Sequence, residues 1–316
     1  MSFGLLIQGP LLSIGRSGES AGISSGSVTD EDVVHYDCVK NIHNIILNYG
    51  DLFDEIVIST WKDQDLEYQK IDKEKICYFV ENLPRMKDKP SANIHVATNN
   101  MLKQFYGTYL GLKEFDNVDY IIKIRTDIYI NLQSSLSQVV NNCSDNTILI
   151  PALYRGSQYI EDFYFAGKYS TIREMFYLLV KDHRYLSESP HTNIWLKYAF
   201  EKYKQKISAN ECFYYEESCG SIGYFLIFEY MRKNVFKQFS VDVFSEMCWR
   251  GGFFDSNYKK GIIAKYREDN RGYQGKIFEY LMIFSNAIGC NVQRSICLAR
   301  KTIVLKFKGA IRRLIR

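Results

Sequence analysis

The sequence predicts an α/β fold: a doubly wound, mostly parallel sheet flanked by helices, with a helical basic tail at the carboxyl end. Three observations lead there. Short runs rich in β-branched and aromatic residues, Phe3 to Gln8, Glu55 to Ser59, Ile76 to Val80 and Tyr120 to Ile124, read as buried strands. Between them lie apolar stripes at helical spacing. Strands alternating with helices call for crossover connections, and these make a parallel sheet with helices on its faces.

The first strand ends in Gln8-Gly9-Pro10, where Gly9 permits close backbone approach and Pro10 stops the ladder. Residues 13–29 are rich in Ser and Gly and predict a mobile loop. Gly9, Gly15, Arg16 and Ser17 resemble a phosphate-binding loop only superficially, because the spacing is one residue too long and the lysine is missing. Thr29 or Asp30 caps a helix to about Tyr49, with Val34, Cys38, Ile42, Ile45, Ile46 and Tyr49 inward and Gly50 as its stop. After the second strand and Thr60-Trp61, residues 62–75 form a charged surface segment ahead of the third strand. A basic loop between two prolines leads to a helix capped by Ser91 and reaching about Glu114, with Ile94, Ala97, Met101, Phe105, Tyr109 and Leu112 inward. Later strands are expected at Ile148 to Ala152 and Tyr159 to Ala166, and helices over 170–181, 191–205 and 222–233. Val235 to Val243 alternates apolar and polar residues, and 275–316 reads as helical. The organisation expected is one domain over 1–274, in two halves that divide at about residue 130, followed by the tail at 275–316.

Composition narrows the class. Hydrophobic residues at 46% and charged residues at 24% describe a folded rather than a disordered chain. The eight cysteines are scattered singly with no Cys-x-x-Cys pair, which argues against a zinc site. The amino terminus lacks the basic and long apolar regions of a signal peptide, so the thiols are expected reduced and the protein cytoplasmic. No run of about 18 apolar residues occurs that would span a membrane.

The chemistry concentrates at strand ends. Tyr120-Ile121-Ile122-Lys123-Ile124 breaks abruptly into Arg125-Thr126-Asp127. An acidic residue at the carboxyl end of such a strand sits where α/β folds bind ligands. Asp127 suits a divalent cation on a nucleotide's phosphates, and Arg125 suits a bidentate phosphate or carboxylate contact. Gln8, Gly9, Thr60 and Trp61 lie at the ends of the first two strands, which meet in one crevice, and this favours a border for a nucleotide's base and ribose over the alternative of Trp61 as a core residue capping the sheet. Asn100 and Gln104, four residues apart, share a helix face and suit sugar hydroxyls or phosphate, or simply a solvated face. Asp162, between Glu161 and the aromatic run Phe163-Tyr164-Phe165, is the candidate catalytic base, with Glu161 as the alternative. A carboxylate beside aromatics can have the raised pKa that proton removal from an acceptor hydroxyl needs.

Taken together, four segments resemble the WavE-type glycosyltransferases of bacterial lipopolysaccharide synthesis. They are Ile7-Gln8-Gly9-Pro10; Glu55-Ile56-Val57-Ile58-Ser59-Thr60-Trp61; the block from Asn100 through Gln104, Thr108, Gly111 and Leu112 to Lys123-Ile124-Arg125-Thr126-Asp127; and, more weakly, Asp162-Phe163-Tyr164-Phe165-Ala166-Gly167. They cover roughly the first 170 residues in the family's order. The resemblance implies a GT-A-like domain that uses Mn²⁺ or Mg²⁺ to transfer a sugar from a nucleotide sugar to a growing polysaccharide or lipid-linked oligosaccharide of lipopolysaccharide, O-antigen or capsule synthesis. Departures exist: Lys103 stands where the family has arginine, residues 13–29 look like an insertion, and the carboxyl half matches poorly. Two other functions fit the same pattern, a sugar-phosphate nucleotidyltransferase and a non-catalytic nucleotide-sugar-binding subunit. The first would want a lysine paired with Arg16, which is missing nearby.

The charge is uneven. Residues 294–316 carry +8 and no acid, while the remaining chain sums to −4 against a total of +4, which speaks against nucleic acid as a partner. Ile296, Ala299, Ile303, Phe307, Ala310 and Leu314 recur at helical steps among those cations. A basic amphipathic helix of this kind lies in the plane of an anionic membrane, each cation there contributing about 1 kcal/mol. The pattern therefore predicts peripheral attachment to the inner face of the cell membrane, with docking on the catalytic domain as the rival. Deleting residues 293–316 should abolish co-sedimentation with anionic liposomes and leave the weak binding to neutral ones unchanged; equal pelleting before and after truncation would rule the membrane role out.

Overall fold

A computed structural model describes residues 1–20, 30–61, 77–81, 94–151, 153–154, 159–160, 163–181, 198, 202, 230–244 and 246–253. Its frame is a seven-stranded sheet. The strands are β1 (Phe3–Gln8), β4 (Glu55–Trp61), β5 (Cys77–Glu81), β6 (Tyr120–Arg125), β8 (Ile148–Ile150), β11 (Tyr164–Lys168) and β12 (Phe236–Gln238), in the order β12-β8-β11-β6-β1-β4-β5. The pairs β1·β4, β1·β6, β4·β5 and β8·β12 are parallel, and β11 runs antiparallel to both its neighbours. The expected mostly parallel sheet is therefore present.

Helices cover both faces, as double winding requires. Alternate residues of each strand point to opposite sides. Leu6, Val57 and Ile121 face α2 (Ile94–Lys113) and α4 (Tyr169–Lys181), where Phe105, Leu112, Ile172, Met175 and Phe176 complete one core cluster. Leu5, Ile7, Ile58, Ile122 and Ile124 face α1 (Cys38–Tyr49) and α3 (Leu132–Asn142), through Val39, Ile42, Ile45, Leu132 and Val139. Three consecutive residues of β1, Leu5, Leu6 and Ile7, are wholly buried for this reason.

Several elements differ from the sequence expectation. The Ser/Gly segment does not begin as a loop. Leu12–Arg16 is strand β2, paired antiparallel with β3 (Val33–Asp37). The helix expected from residue 29 or 30 starts only at Cys38. Val33, Val34 and Tyr36 favour the extended ribbon, and Asp37 supplies the cap by accepting from the backbone amides of Val39 and Lys40. Val34 is thus a strand residue. The strand expected over 159–166 is two pieces, β10 (Tyr159–Ile160), which pairs with β9 (Leu153–Tyr154), and β11. Three unexpected elements matter below: α3, capped by the Asn131 side chain on Ser134 N; β7 (Ile128–Tyr129); and the hairpin β13 (Cys248–Trp249) to β14 (Gly252–Phe253), whose first strand pairs with β7. The helices expected over 191–205 and 222–233 lie mostly outside the described residues, and the tail at 275–316 lies wholly outside them.

The chain leaves β1 toward β4 and β5 on one side, then returns through α2 to β6 on the other. The strand order therefore reverses at β1, and the carboxyl ends of β1 and β6 flank the switch point. Close packing of α2 fixes that geometry. A Cβ on Gly111 would lie 2.6 Å from Leu6 Cδ1 and 2.8 Å from Ser59 Cβ, and Ser59 is held on an interior strand. Gly111→Val should therefore destabilise the protein by about 1–3 kcal/mol despite removing a helical glycine, an effect read from the denaturant midpoint.

Candidate functional site

Beyond the switch point, the exits of β1, β4 and β6 are locked together by hydrogen bonds to the backbone. Gly9 N donates to Ser59 O at 3.0 Å and Thr126 N to Gln8 O at 3.1 Å. Thr126 Oγ1 donates to Pro10 O at 2.7 Å. Gly9 has φ +147°, and a Cβ there would stand 2.5 Å from Thr126 Oγ1, so only glycine allows the approach. From α1, the buried amide of Asn41 donates to Thr126 O at 2.8 Å and to Ile128 O at 3.0 Å. These bonds straddle residue 127 and hold it in place.

Asp127 is 1% exposed and its side chain is fully enclosed. Arg125 grips it with a two-pronged contact, Nε to Oδ1 at 2.9 Å and an NH2 nitrogen to Oδ2 at 2.7 Å. Ser13 Oγ donates to Oδ2 at 3.0 Å and Trp249 Nε1 at 3.2 Å, and Arg250 Nε lies 3.3 Å from the same oxygen. Burial pushes the Asp127 carboxyl up, but the Arg125 charge and hydrogen bonds, the Arg250 charge and the Ser13 hydroxyl outweigh it and hold the group below the usual carboxylate range. Neighbouring Cys38 shows the opposite balance: burial, followed by the Asp127 charge, lifts its thiol to about 12, so it stays protonated.

Arg250 comes from the far end of the described chain. Its backbone amide donates to Asp127 O at 2.8 Å, Nε to Ser13 Oγ at 2.8 Å and NH1 to Arg16 O at 2.6 Å. Its guanidinium also covers the Trp249 ring at 4.7 Å. Arg250 has φ +49°, a conformation uncommon for a residue with a side chain, and Gly251 follows at +78°. The hairpin then packs tightly on the amino-terminal arm, where a Cβ on Gly18 would meet Gly252 O at 2.3 Å.

The sequence-predicted residues divide into two groups. Arg125 and Asp127 meet as described. Gln8 is adjacent to Arg125 across the β1·β6 ladder, and it approaches α2 beside Trp61. A Cβ on Gly107 would lie 3.2 Å from both Gln8 Nε2 and Trp61 Cζ2. Ser59 Oγ donates to Gly107 O at 2.6 Å. Gln104 lies half-buried one turn from Gly107 on the same helix, and the Asn100 backbone lies one turn further back. Trp61 is 5% exposed, so it does serve as packing beneath this edge. Thr60 points to the opposite face of β4 and does not join Gln8 and Trp61. Asp162 and Glu161 lie outside the described residues. Sequence reasoning missed Ser13, Asn41, Trp249 and Arg250. The available signal for the last two was the sequence Trp249-Arg250-Gly251-Gly252, an aromatic-cation pair ahead of two glycines.

The donors around Asp127 do not fit a divalent cation at that carboxylate. Both oxygens accept from the Arg125 guanidinium and the Arg250 charge lies 3.3 Å from Oδ2, so a cation would have to displace like charges to reach the carboxylate. Among the described residues no group of three or more His, Cys, Asp or Glu is disposed to hold a metal.

No family model matches the chain, and no curated protein sequence is significantly similar to it. Solved structures resemble it loosely. A Methanothermobacter nucleotidyl transferase matches 62% of this chain and 82% of its own, at 12% identity and a TM-score of 0.38. A 4-diphosphocytidyl-2C-methyl-D-erythritol synthase from Anaerococcus prevotii matches 64% and 84%, at 12% identity and 0.34. A protein described as mannose-1-phosphate geranyltransferase, from Thermus thermophilus, matches 61% and 67%, at 12% identity and 0.30. At such scores these likenesses carry no functional conclusion.

The lowered Asp127 pKa has a signed consequence. Its contribution to stability is complete above the ordinary carboxylate pKa of about 3.9 and disappears as pH falls through the lower folded value. Asp127→Asn should cost about 3 kcal/mol near neutrality, since it strands two guanidiniums, and should flatten the acid limb of the stability profile below about pH 4. Urea titrations of both proteins across that range measure the effect.

Proposed function

We propose that the chain is a nucleotide-sugar-dependent glycosyltransferase of bacterial surface-polysaccharide or lipid-linked oligosaccharide synthesis. The observation that carries this reading is the convergence of Gln8, Gly9, Arg125 and Arg250 on the switch-point edge between β1 and β6. That edge is where open α/β sheets take nucleotides, and it presents guanidiniums suited to a diphosphate. The order of Gln8-Gly9-Pro10, Thr60-Trp61, Asn100, Gln104 and Arg125-Thr126-Asp127, similar to that of WavE-type enzymes, supports the same reading.

In this scheme Gln8 and Gly9, backed by the packed indole of Trp61, border the base and ribose, while Asn100 and Gln104 address sugar hydroxyls. Thr60, turned to the other face, supports the strand end. An acceptor hydroxyl attacks the anomeric carbon as its bond to the β-phosphate oxygen breaks. The hydroxyl proton passes to Asp162, and the nucleoside diphosphate departs with the bonding electrons. The basic tail keeps the enzyme on the cytoplasmic leaflet, beside a lipid-linked acceptor. No helix among the described residues is long and apolar enough to cross a membrane.

The test is to incubate the protein with labelled nucleotide sugars and a lipid acceptor extract, with and without Mn²⁺. Sugar transfer is the expected result. Pyrophosphate release from a nucleoside triphosphate and a sugar phosphate would establish a nucleotidyltransferase instead, and binding without turnover a non-catalytic subunit. Asp162→Asn should lower kcat about 100-fold or more and leave donor affinity within about twofold, because the lost interaction is with a proton that moves only in the transition state. Loss of donor binding with kcat intact would make Asp162 a donor ligand.

A further inference from the structure

We infer that Arg125 and Arg250, positioned by Asp127, supply the positive charge that holds the donor's diphosphate, in place of a divalent cation on Asp127. The inference rests on the glycosyltransferase reading above and departs from the metal use that the WavE resemblance implies.

The charge balance comes first. Asp127 contributes one negative charge and the two arginines two positive ones, so the cluster as a whole is cationic. Arg16 adds to it, for its charge and that of Arg125 both bear on Arg250. A lone cation-binding carboxylate would show the reverse sign. The orientation points the same way. The Asp127 side chain has no exposure, while those of Arg125 and Arg250 are 29% and 12% exposed. What the cluster offers to solvent is therefore arginine side chain, not carboxylate.

Asp127 turns its more heavily bonded oxygen, Oδ2, to three hydrogen-bond donors, with Arg250 Nε 3.3 Å away. Oδ1 is held by Arg125 Nε inside a fully enclosed side chain, so a metal would have to displace a guanidinium to reach it. Here its oxygens receive two contacts from Arg125 and one each from Ser13, Trp249 and Arg250. These contacts make it a positioning residue. It fixes the plane of Arg125 through two parallel bonds, and through its own carbonyl it anchors the turn that carries Arg250. Planar guanidiniums fixed by a buried acid suit phosphate oxygens, and they need no dehydration of a metal. The turn at Arg250, with its positive φ and following Gly251, brings the second guanidinium from 123 residues beyond Asp127 to the same edge.

Calorimetric titration of the full chain with UDP, GDP, ADP and CDP, and with the matching nucleosides, tests this in EDTA and in Mn²⁺. At least one diphosphate should bind in EDTA within about twofold of its affinity in Mn²⁺, and more tightly than its nucleoside. Arg125→Lys and Arg250→Lys, which keep the charge but lose the fork, should weaken that diphosphate at least tenfold and leave the nucleoside unchanged. A diphosphate that binds at least tenfold more weakly in EDTA would overturn the inference while the donor reading stood. Lysine variants that fold normally and bind the diphosphate as the wild type does would also overturn it. If either variant is unfolded by circular dichroism, the wild-type comparison in EDTA decides alone. Binding of no diphosphate in either condition would overturn the glycosyltransferase reading, and this inference with it.

Discussion

The fold's polar organisation depends on one enclosed carboxylate. Burying an ionised acid costs several kcal/mol unless charge and hydrogen bonds compensate it. Asp127 is compensated by residues from three distant parts of the chain: Ser13 on the amino-terminal arm, Arg125 at the end of β6, and Trp249 with Arg250 on the closing hairpin. The arm and the hairpin, with few buried side chains of their own, are tied to the sheet through this acid.

The large regular elements were legible from the sequence because their signals are local. The runs at 3–8, 55–61 and 120–125 are β-branched and apolar, and the stripes of α1, α2 and α4 keep helical spacing. The start of α1 was misplaced for an instructive reason. Thr29 and Asp30 are as good a cap as Asp37 by residue type, and only the pairing of Val33–Asp37 with Leu12–Arg16 decides between them. Pairing is non-local, and an alternating Ser/Gly-rich strand such as 12–16 does not advertise its partner. Elements of two or three residues, such as β7, β13 and β14, are too short to show any period.

The site was legible in half. Arg125 and Asp127 stood out because a buried strand ended in charge, and the strand order placed that end at the switch point. Their relation was not visible. By residue type the carboxylate suits a cation from solvent, and only the fold shows Arg125 and Arg250 lying against it. Trp61 shows the same ambiguity between ligand contact and packing, and Gly107 explains its place: the missing Cβ lets the indole and the Gln8 amide lie against α2.

The hairpin also bears on how the chain can be made. Ser13, Arg125 and Asp127 have all been synthesised long before Trp249 and Arg250 emerge, and domains form as their parts leave the ribosome. Until then the carboxylate has one guanidinium rather than two, and Gly18 has no Gly252 to close against. The nascent chain can thus acquire six strands of its sheet by residue 168 and yet leave the switch-point edge open until nearly four-fifths of the sequence exists. Contacts this far apart in sequence are the slow ones to form. Completion of the edge therefore waits on the hairpin, and a product stopped between β12 and the hairpin would hold all seven strands with an unfinished edge.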